Sequence, residues 1–141
     1  MKFFAAITTL VFAASAALAA PSTTTTVTVS YDQTYDNPSG SVNTVSCSGV
    51  LAGYGDFGNL PGFPNIGGAA AVAGYDDPNC GTCWQLTYNN TSVNVLAIDH
   101  AGAGFNIALS AMNTLTSGEA VSVGRVNAQA QQVDASLCGV N

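Results

Sequence analysis

The sequence predicts a small, mostly β barrel, and three observations support this fold class. Several short segments alternate between apolar and polar residues, which is the period of a β-strand. Only one segment has the apolar spacing of a helix. Turns rich in glycine and proline, such as Asp36–Gly40 and Leu60–Pro64, separate the segments. Many short strands with a single helix are typical of one small barrel domain.

The strand-like segments follow one another along the chain. Alternation predicts a strand over Thr26–Tyr31 and a hairpin whose arms are Trp84–Tyr88 and Val93–Ile98. The hairpin turn, Asn89-Asn90, carries two overlapping N-x-Thr/Ser sequences, so either asparagine is a candidate N-glycosylation site in an exported protein. Further strands are expected at Val42–Val45, Ala120–Val123 and Arg125–Val133.

One amphipathic helix is predicted between the hairpin and the last strands. Asn106 is its expected N-cap and Gly118 its expected C-terminal stop. The apolar stripe recurs at i, i+3 and i+4 spacing and consists of Phe105, Ala108, Leu109, Met112 and Leu115.

The first nineteen residues are predicted to be a secretory signal peptide. One positive charge at Lys2 precedes an apolar run that ends in small residues, and Ala17-Leu18-Ala19 fits the A-x-A cleavage signal. A membrane-spanning helix is the less favoured interpretation, because it needs ~20 predominantly apolar residues and polar residues interrupt this run. Residues 20–26 are expected to form a polar, disordered lead-in, and residues 27–141 the single barrel domain.

The charge balance limits the possible partners. The chain has eight acidic residues and two lysines or arginines, for a net charge of −6. Loss of the signal peptide removes Lys2 and leaves Arg125 as the only strong base. Such a chain cannot neutralise a run of phosphates, so we expect neither nucleic-acid binding nor attraction to an anionic membrane. A neutral, hydrogen-bonding polysaccharide suits this surface best.

The four cysteines predict structural disulfides. They are Cys47, Cys80, Cys83 and Cys138, and an even number in an exported chain indicates a disulfide framework. A zinc site would need further ligands at short spacing, whereas His100 is the only histidine, and nothing indicates another metal or a cofactor. A bridge within Cys80–Cys83 would close a tiny loop and stabilise little. Two connectivities with long loops remain open, each bridge contributing about 4 kcal/mol.

Six short motifs follow one another through nearly the whole chain after the predicted signal peptide. They are Val29-Ser30-Tyr31-Asp32, Tyr35-Asp36-Asn37, Phe63-Pro64-Asn65-Ile66-Gly67-Gly68, Cys80-Gly81-Thr82-Cys83-Trp84, Gly104-Phe105-Asn106 and Gly124-Arg125-Val126. Together, and in this order, they resemble the motifs of the cerato-platanin family of small secreted fungal proteins. The Ser48–Gly53 loop after Cys47 looks shorter than the loop usual in that family.

The resemblance implies a more specific architecture and role. It implies a six-stranded double-psi β-barrel related to expansins, with one or two short helices and with Cys47–Cys80 and Cys83–Cys138 paired. Members of the family bind chitin oligomers of N-acetylglucosamine, loosen cell-wall polysaccharide without obvious hydrolysis, and are perceived by plants or animals as elicitors or allergens. The chain is therefore expected in the fungal cell wall or outside the cell, with host receptors as further candidate partners.

The expected sugar groove contains Asp99 and Asn106 by the same resemblance, with His100 and Gly104 beside them. Hydrolysis of a glycosidic bond usually needs two carboxyl groups. Asp99 could be one of them, but Asn106 presents an amide, which cannot exchange a proton near neutral pH. Neither Asp32 nor Asp36 is placed near Asp99 by sequence. We therefore predict a binding groove with no catalytic residues.

Three questions stay open at the level of sequence. Trp84 is either a core residue packed against the disulfide, which we favour, or a stacking platform for sugar. The protein could instead be a surface-active coat of the fungal wall, since 48% of its residues are hydrophobic. Weak glycoside hydrolysis is a third alternative.

Overall fold

The computed structural model describes residues 23–141. The predicted signal peptide and the first residues of the lead-in lie outside the described residues. Six strands are accompanied by two short α-helices and several one-turn 3-10 helices. The strands are β1 Thr25–Tyr31, β2 Ile66–Ala69, β3 Cys83–Tyr88, β4 Thr91–His100, β5 Phe105–Ile107 and β6 Arg125–Val133, and the helices are α1 Leu109–Leu115 and α2 Ala120–Val123.

The six strands close into one barrel in the order β1-β5-β2-β4-β3-β6. The pairs β1–β5 and β2–β4 are parallel, and the remaining neighbours are antiparallel. Closure leaves no strand edge unpaired, which protects a mostly β chain from edge-to-edge association. The predicted fold class, a six-stranded double-psi β-barrel with one or two short helices and two disulfides, is confirmed, and the structure has two such helices in the described residues.

The residues of the barrel core are those that point inward from the strands, where successive side chains alternate between the two faces. In β6 exposed and buried residues alternate, so that Val126, Ala128 and Ala130 are buried while their neighbours face solvent. The long connection between β1 and β2 adds a second apolar layer, in which Val42 and Phe57 are fully buried. Both layers belong to one continuous hydrophobic cluster.

The predicted hairpin is confirmed. β3 and β4 are antiparallel, with Tyr88 opposite Thr91, and Asn89 and Asn90 form the turn. Both asparagines have positive φ, 46° and 64°, as a tight two-residue hairpin turn requires. Asparagine adopts a positive φ more readily than most residues, so the Asn89-Asn90 pair was sufficient to predict the turn.

Three predicted elements are wrong, and each error has a local cause. Val42–Val45 is not a strand, because Ser41 accepts a hydrogen bond from the amide of Asn43 and starts a 3-10 turn over Val42–Thr44. Ala120–Val123 is helix α2, closed by a bond from the amide of Gly124 to the carbonyl of Ala120. A segment of four residues is too short to distinguish the two-residue period of a strand from the 3.6-residue period of a helix.

The third error concerns the start of the predicted helix. Phe105–Ile107 is strand β5, paired in parallel with β1 from Val29 to Tyr31, and α1 starts only at Leu109. Asn106 is therefore a strand residue and not an N-cap. Phe105, the first residue of the predicted apolar stripe, belongs to the barrel and not to the helix, because it pairs with Val29 on the distant strand β1.

Strand β1 begins one residue before the predicted strand Thr26–Tyr31. Thr25 and Thr26, which also fall in the range expected to be a disordered lead-in, pair with Ala130 and Gln129 of β6. The far end of β6 extends to meet them, so the barrel includes part of the threonine run.

The disulfides are those that the resemblance implied. Cys47 is bonded to Cys80, with Cα atoms 5.6 Å apart, and Cys83 to Cys138, with Cα atoms 5.7 Å apart. The two cysteines of the C-x-x-C motif thus connect the start of β3 with two other parts of the chain, the loop at Cys47 and the C-terminal segment at Cys138. Residues 23–141 contain no helix long and apolar enough to span a bilayer.

Candidate functional site: a polar cleft beside the β4–β5 connection

A polar cleft of about 440 Å³ lies where β4 turns into β5. It is lined by Ser30, His100, residues 101–103, Asn106 and Arg125. Two of the four predicted groove residues, His100 and Asn106, are therefore brought together. Ser30 and Arg125 were not predicted as site residues.

The barrel register explains why these side chains meet. Ser30 on β1 is the direct partner of Asn106 on β5 and of Arg125 on β6. Because Val29 is buried, its neighbour Ser30 points away from the barrel interior, and directly paired residues share a face. Three polar side chains thus form a row on the outer face of three adjacent strands.

Hydrogen bonds orient the polar groups of the cleft. Ser30 Oγ donates to Asn106 Oδ1 at 3.0 Å, which leaves the two amide N–H groups of Asn106 for another partner. His100 Nδ1 lies 2.6 Å from the carbonyl oxygen of Val72. A carbonyl only accepts, so Nδ1 carries the hydrogen and Nε2 is the ring nitrogen left for a ligand.

Asp99 lies near this cleft but does not line it. Gly68 on β2 separates the two predicted partners, since it pairs with Asp99 on one side and with Asn106 on the other. A side chain on Gly68 would meet the carbonyl oxygen of His100 at 2.9 Å, so the β4–β5 connection passes over this glycine.

The carboxylate of Asp99 is held by the protein's own donors. Tyr35 donates its hydroxyl to Oδ2 at 2.9 Å, and the backbone amides of Ser46 and His100 donate to Oδ1 at 2.9 Å each. Asp99 thereby joins three segments: the loop after β1, the loop before Cys47, and the start of the cleft wall at His100. Both carboxylate oxygens of Asp99 therefore already accept hydrogen bonds from groups of the protein itself.

Burial and the contact with Asp99 affect the ionisation of Tyr35. Burial of the phenol is the main cause that raises its pKa far above the ordinary value, and the negative charge of Asp99 and the hydrogen bond to it add to the rise. The charge of Asp32 contributes in the same direction. The Tyr35 hydroxyl is therefore a permanent donor to Asp99 at any physiological pH.

Gly104 lies outside the polar cleft. Its φ is +51°, and a side chain here would overlap the carbonyl oxygen of Thr28, so the position requires glycine. Gly104 instead borders an apolar pocket of about 220 Å³ at one end of the barrel, together with Trp84 and Phe105. Its role in this structure is to let the chain turn into β5.

Trp84 closes that end of the barrel. Its ring packs edge-on against Phe105, with centroids 5.5 Å apart, and its indole N–H donates to Thr82 Oγ1 at 2.9 Å. The side chain is half-buried against the core. The interpretation as a core residue is favoured, but its partner is Phe105, since the side chain of Cys83 alternates to the opposite face of β3.

No carboxyl group lines the polar cleft among residues 23–141. Asp32 caps the turn at Thr34, and Asp36 accepts hydrogen bonds from the first amides of α1. Within the same residues, no cluster of three or more histidine, cysteine, aspartate or glutamate side chains could hold a metal ion. The arrangement provides hydrogen-bond donors and acceptors for a ligand.

Sequence reasoning missed two residues that line the cleft, although each carried a signal. Ser30 occupies the outward position of an alternating strand next to a buried valine. Arg125 is the only strong base beyond the predicted signal peptide. Neither signal identifies a site until the register places both beside Asn106.

Asn89 and Asn90 lie at the exposed tip of the β3–β4 hairpin. Their side chains are open to solvent, so both remain candidate acceptors of a glycan. This tip lies at the start of β4, whereas the cleft residue His100 lies at the end of that strand.

Comparison with known proteins places the chain in a family. The family model for cerato-platanin matches residues 27–140. The allergen Asp f 15 of Aspergillus fumigatus is 45% identical over 148 aligned positions, covering 98% of this chain and 97% of the relative. The crystal structure of cerato-platanin 2 from M. perniciosa has a TM-score of 0.78 and 44% identity, covering 82% of this chain and 100% of that chain. The solution structure of the fungal elicitor cerato-platanin has a TM-score of 0.72 and 40% identity, covering 79% and 96%. The chain therefore belongs to the cerato-platanin family.

Proposed function

We propose that this protein is a secreted carbohydrate-binding protein whose polar cleft binds chitin or N-acetylglucosamine oligomers and which loosens cell-wall polysaccharide without hydrolysing it. The observation that carries the proposal is the composition of the cleft. Ser30, His100 and Asn106 offer neutral donors and acceptors, while no described carboxyl group lines the cleft. Glycoside hydrolysis usually requires two such groups, so the cleft is suited to holding a sugar chain and not to cutting it.

Asp99 supports binding indirectly in this proposal. Its bonds to Ser46 and His100 fix the wall of the cleft relative to the loop before Cys47. Substitution of Asp99 by alanine is then expected to weaken sugar binding through movement of this wall, together with a loss of stability.

Calorimetric titration with chitin oligomers of graded length tests the proposal. Asn106→Ala removes the free amide donors and is expected to weaken binding roughly three- to tenfold, the effect of one or two neutral hydrogen bonds. Asn127→Ala is the matched control, because Asn127 is an exposed asparagine on β6 outside the cleft. Equal affinity of wild type and Asn106→Ala would exclude this cleft as the chitin site. Release of reducing sugar would revive the hydrolase alternative.

We also infer that the protein acts outside the fungal cell and is recognised by a host. Support comes from the signal-like residues 1–19 and from relatives named an allergen and an elicitor. Application of the purified protein to plant tissue, with a defence response as readout, tests this inference. A reduced and alkylated sample is the control, since an elicitor recognised through its fold should then lose activity. No response to the native protein in plant tissue, together with no antibody recognition in sensitised sera, would contradict host recognition.

A second candidate function, a surface-active coat of the wall, is favoured by one feature. Val50, Tyr54 and Tyr75, all in the connections between β1 and β3, have exposed fractions of 59%, 38% and 75%. Large exposed apolar side chains can adsorb to an interface. Surface-tension measurements beside a pull-down on insoluble chitin separate the two functions. Binding that free oligomer displaces supports the cleft, and surface activity without such displacement supports the coat.

A further inference from the structure

We propose that the polar cleft selects acidic sugars, with Arg125 binding the carboxylate of a hexuronate residue while Ser30 and Asn106 contact its ring hydroxyls. The inference rests on the proposed function, because it takes the same cleft to be the sugar site. It adds a ligand class, anionic sugars, that the net negative charge of the chain would not suggest. The expected binding position is Arg125, the only lysine or arginine among residues 23–141.

The first argument is the distribution of charge. Arg125 is the only lysine or arginine among residues 23–141, in a chain whose net charge is −6, and its side chain is exposed at the edge of the cleft. Six of the eight carboxylates accept hydrogen bonds from the protein's own backbone amides, and none of the six forms an ion pair with Arg125. These six are Asp32, Asp36, Asp76, Asp77, Asp99 and Asp134.

The second argument is the excess of donors over acceptors. Asn106 Oδ1 already accepts from Ser30, so the amide presents its N–H groups to the cleft. Arg125 adds a guanidinium with five N–H donors and no acceptor. A carboxylate has two oxygens that accept two parallel hydrogen bonds from one guanidinium, a geometry that a single hydroxyl cannot match. The cleft therefore favours a ligand that brings acceptors and negative charge.

The third argument is spacing. Arg125 and Asn106 lie on either side of Ser30 at one level of the barrel, two strand spacings or roughly 10 Å apart along the sheet. Arg125 has a long side chain that can bend over Ser30. A sugar ring on Ser30 could then direct its carboxylate to Arg125 and its hydroxyls to Asn106.

Calorimetry with three oligomers of equal length tests the inference: a galacturonate trimer, its fully methyl-esterified form, and a chitin trimer. We expect the acid to bind roughly tenfold more tightly than its neutral ester, the effect of one charge-assisted contact. In Arg125→Gln this ratio should fall to about one. Arg125 is exposed, so the variant is expected to fold, and its circular dichroism spectrum checks this.

A charge-matched variant separates a site from a net-charge effect. Asn127 is exposed on the same face of β6, two residues beyond Arg125 and roughly 7 Å away. Arg125→Gln combined with Asn127→Arg restores the net charge but moves the guanidinium out of the cleft. The acid preference should stay lost in this double variant. Its recovery would overturn the inference, as would equal binding of acid and ester by the wild type.

The chitin trimer distinguishes failure of this inference from failure of the proposed function. Binding of chitin, with acid and ester equal, contradicts only the acidic-sugar inference. Binding of the acid that depends on Arg125, without binding of chitin, supports the inference and contradicts chitin as the ligand. Binding of none of the three oligomers contradicts both.

Discussion

Single residues determine how the cleft wall is held, and the pair of Tyr35 and Asp99 is the main example. The phenol is 6% exposed and donates its hydroxyl to the carboxylate. Tyr35→Phe removes the donor and leaves a partly buried carboxylate oxygen without its partner. We expect a loss of about 1–2 kcal/mol in the free energy of unfolding, measured with urea. Tyr75→Phe, at a 75% exposed tyrosine, is the control and should change little.

The same residue predicts how stability changes at high pH. Because burial and Asp99 raise the pKa of Tyr35 in the folded state, this tyrosine contributes stability that is fully present below its unfolded pKa of about 10. Above that pH the unfolded chain loses the phenol proton while the folded protein keeps it. The stability difference between wild type and Tyr35→Phe should therefore shrink as the pH rises from 9 to 11 in urea titrations. A constant difference would contradict a closed contact.

Glycine at position 104 is a second test at the scale of one residue. Gly104→Ala places a methyl group against the carbonyl of Thr28 at a backbone conformation that alanine rarely adopts. We expect destabilisation by about 3 kcal/mol in denaturant unfolding. Gly102→Ala, two residues earlier in the same connection and with no atom within 4 Å of the added carbon, should change stability by less than about 1 kcal/mol. Similar effects of the two substitutions would argue against the tight turn.

At the scale of elements, helix α1 is capped by a residue far away in the sequence. Ala108 precedes the helix and offers no side-chain cap. Asp36 fills this role by accepting from the amides of Leu109 and Ser110 at 2.7 and 2.9 Å, and from the Ser110 hydroxyl at 2.7 Å. A negative group is favourable at a helix N-terminus, so the contact also fastens the loop after β1 to α1.

Removal of this cap gives an element-scale prediction. Asp36→Ala should lower the free energy of unfolding by about 2 kcal/mol, at the upper end for caps because three bonds are lost. Asp56→Ala removes an exposed aspartate that makes no side-chain cap bond, and it should have little effect. Equal losses in the two variants by thermal and urea unfolding would show that general charge, and not the cap, is responsible.

The whole molecule depends on two disulfides that close long loops. They join residues 33 and 55 positions apart, and in the chain-entropy description each stabilises by about 4 kcal/mol. Both end near the start of β3, so they connect the barrel to the β1–β2 layer and to the C-terminus. The bridges supplement a single core in a small domain.

Removal of each bridge predicts large and similar losses for the whole fold. The paired variants Cys47→Ala with Cys80→Ala, and Cys83→Ala with Cys138→Ala, should each lose about 4 kcal/mol in urea unfolding, the second slightly more because its loop is longer. The intact protein with and without reductant is the control. A loss confined to one pair would mean that the other bridge closes a loop already ordered in the unfolded chain.

Features that depend on neighbouring residues could be predicted from the sequence, whereas features that depend on distant residues could not. The hairpin turn and the full extent of β6 were predicted, because both are set by residues next to each other in the chain. Strand β5 was not, since its partner β1 lies more than seventy residues away and outweighs the helical spacing of Phe105. The same holds for the disulfides: loop entropy left two connectivities, and only the family resemblance distinguished them before the structure.

The sequence by itself determined the class of the fold, the set of cysteines and the scarcity of positive charge, because these depend on composition and short-range period. Only the tertiary structure decided which polar residues share a cleft. A register shift beside Gly67 and Gly68 placed Asp99 opposite Gly68, one strand away from Asn106, and closure of the barrel brought Ser30 and Arg125 beside Asn106. Registers and crossings join residues that are distant in the chain, so no local pattern encodes them.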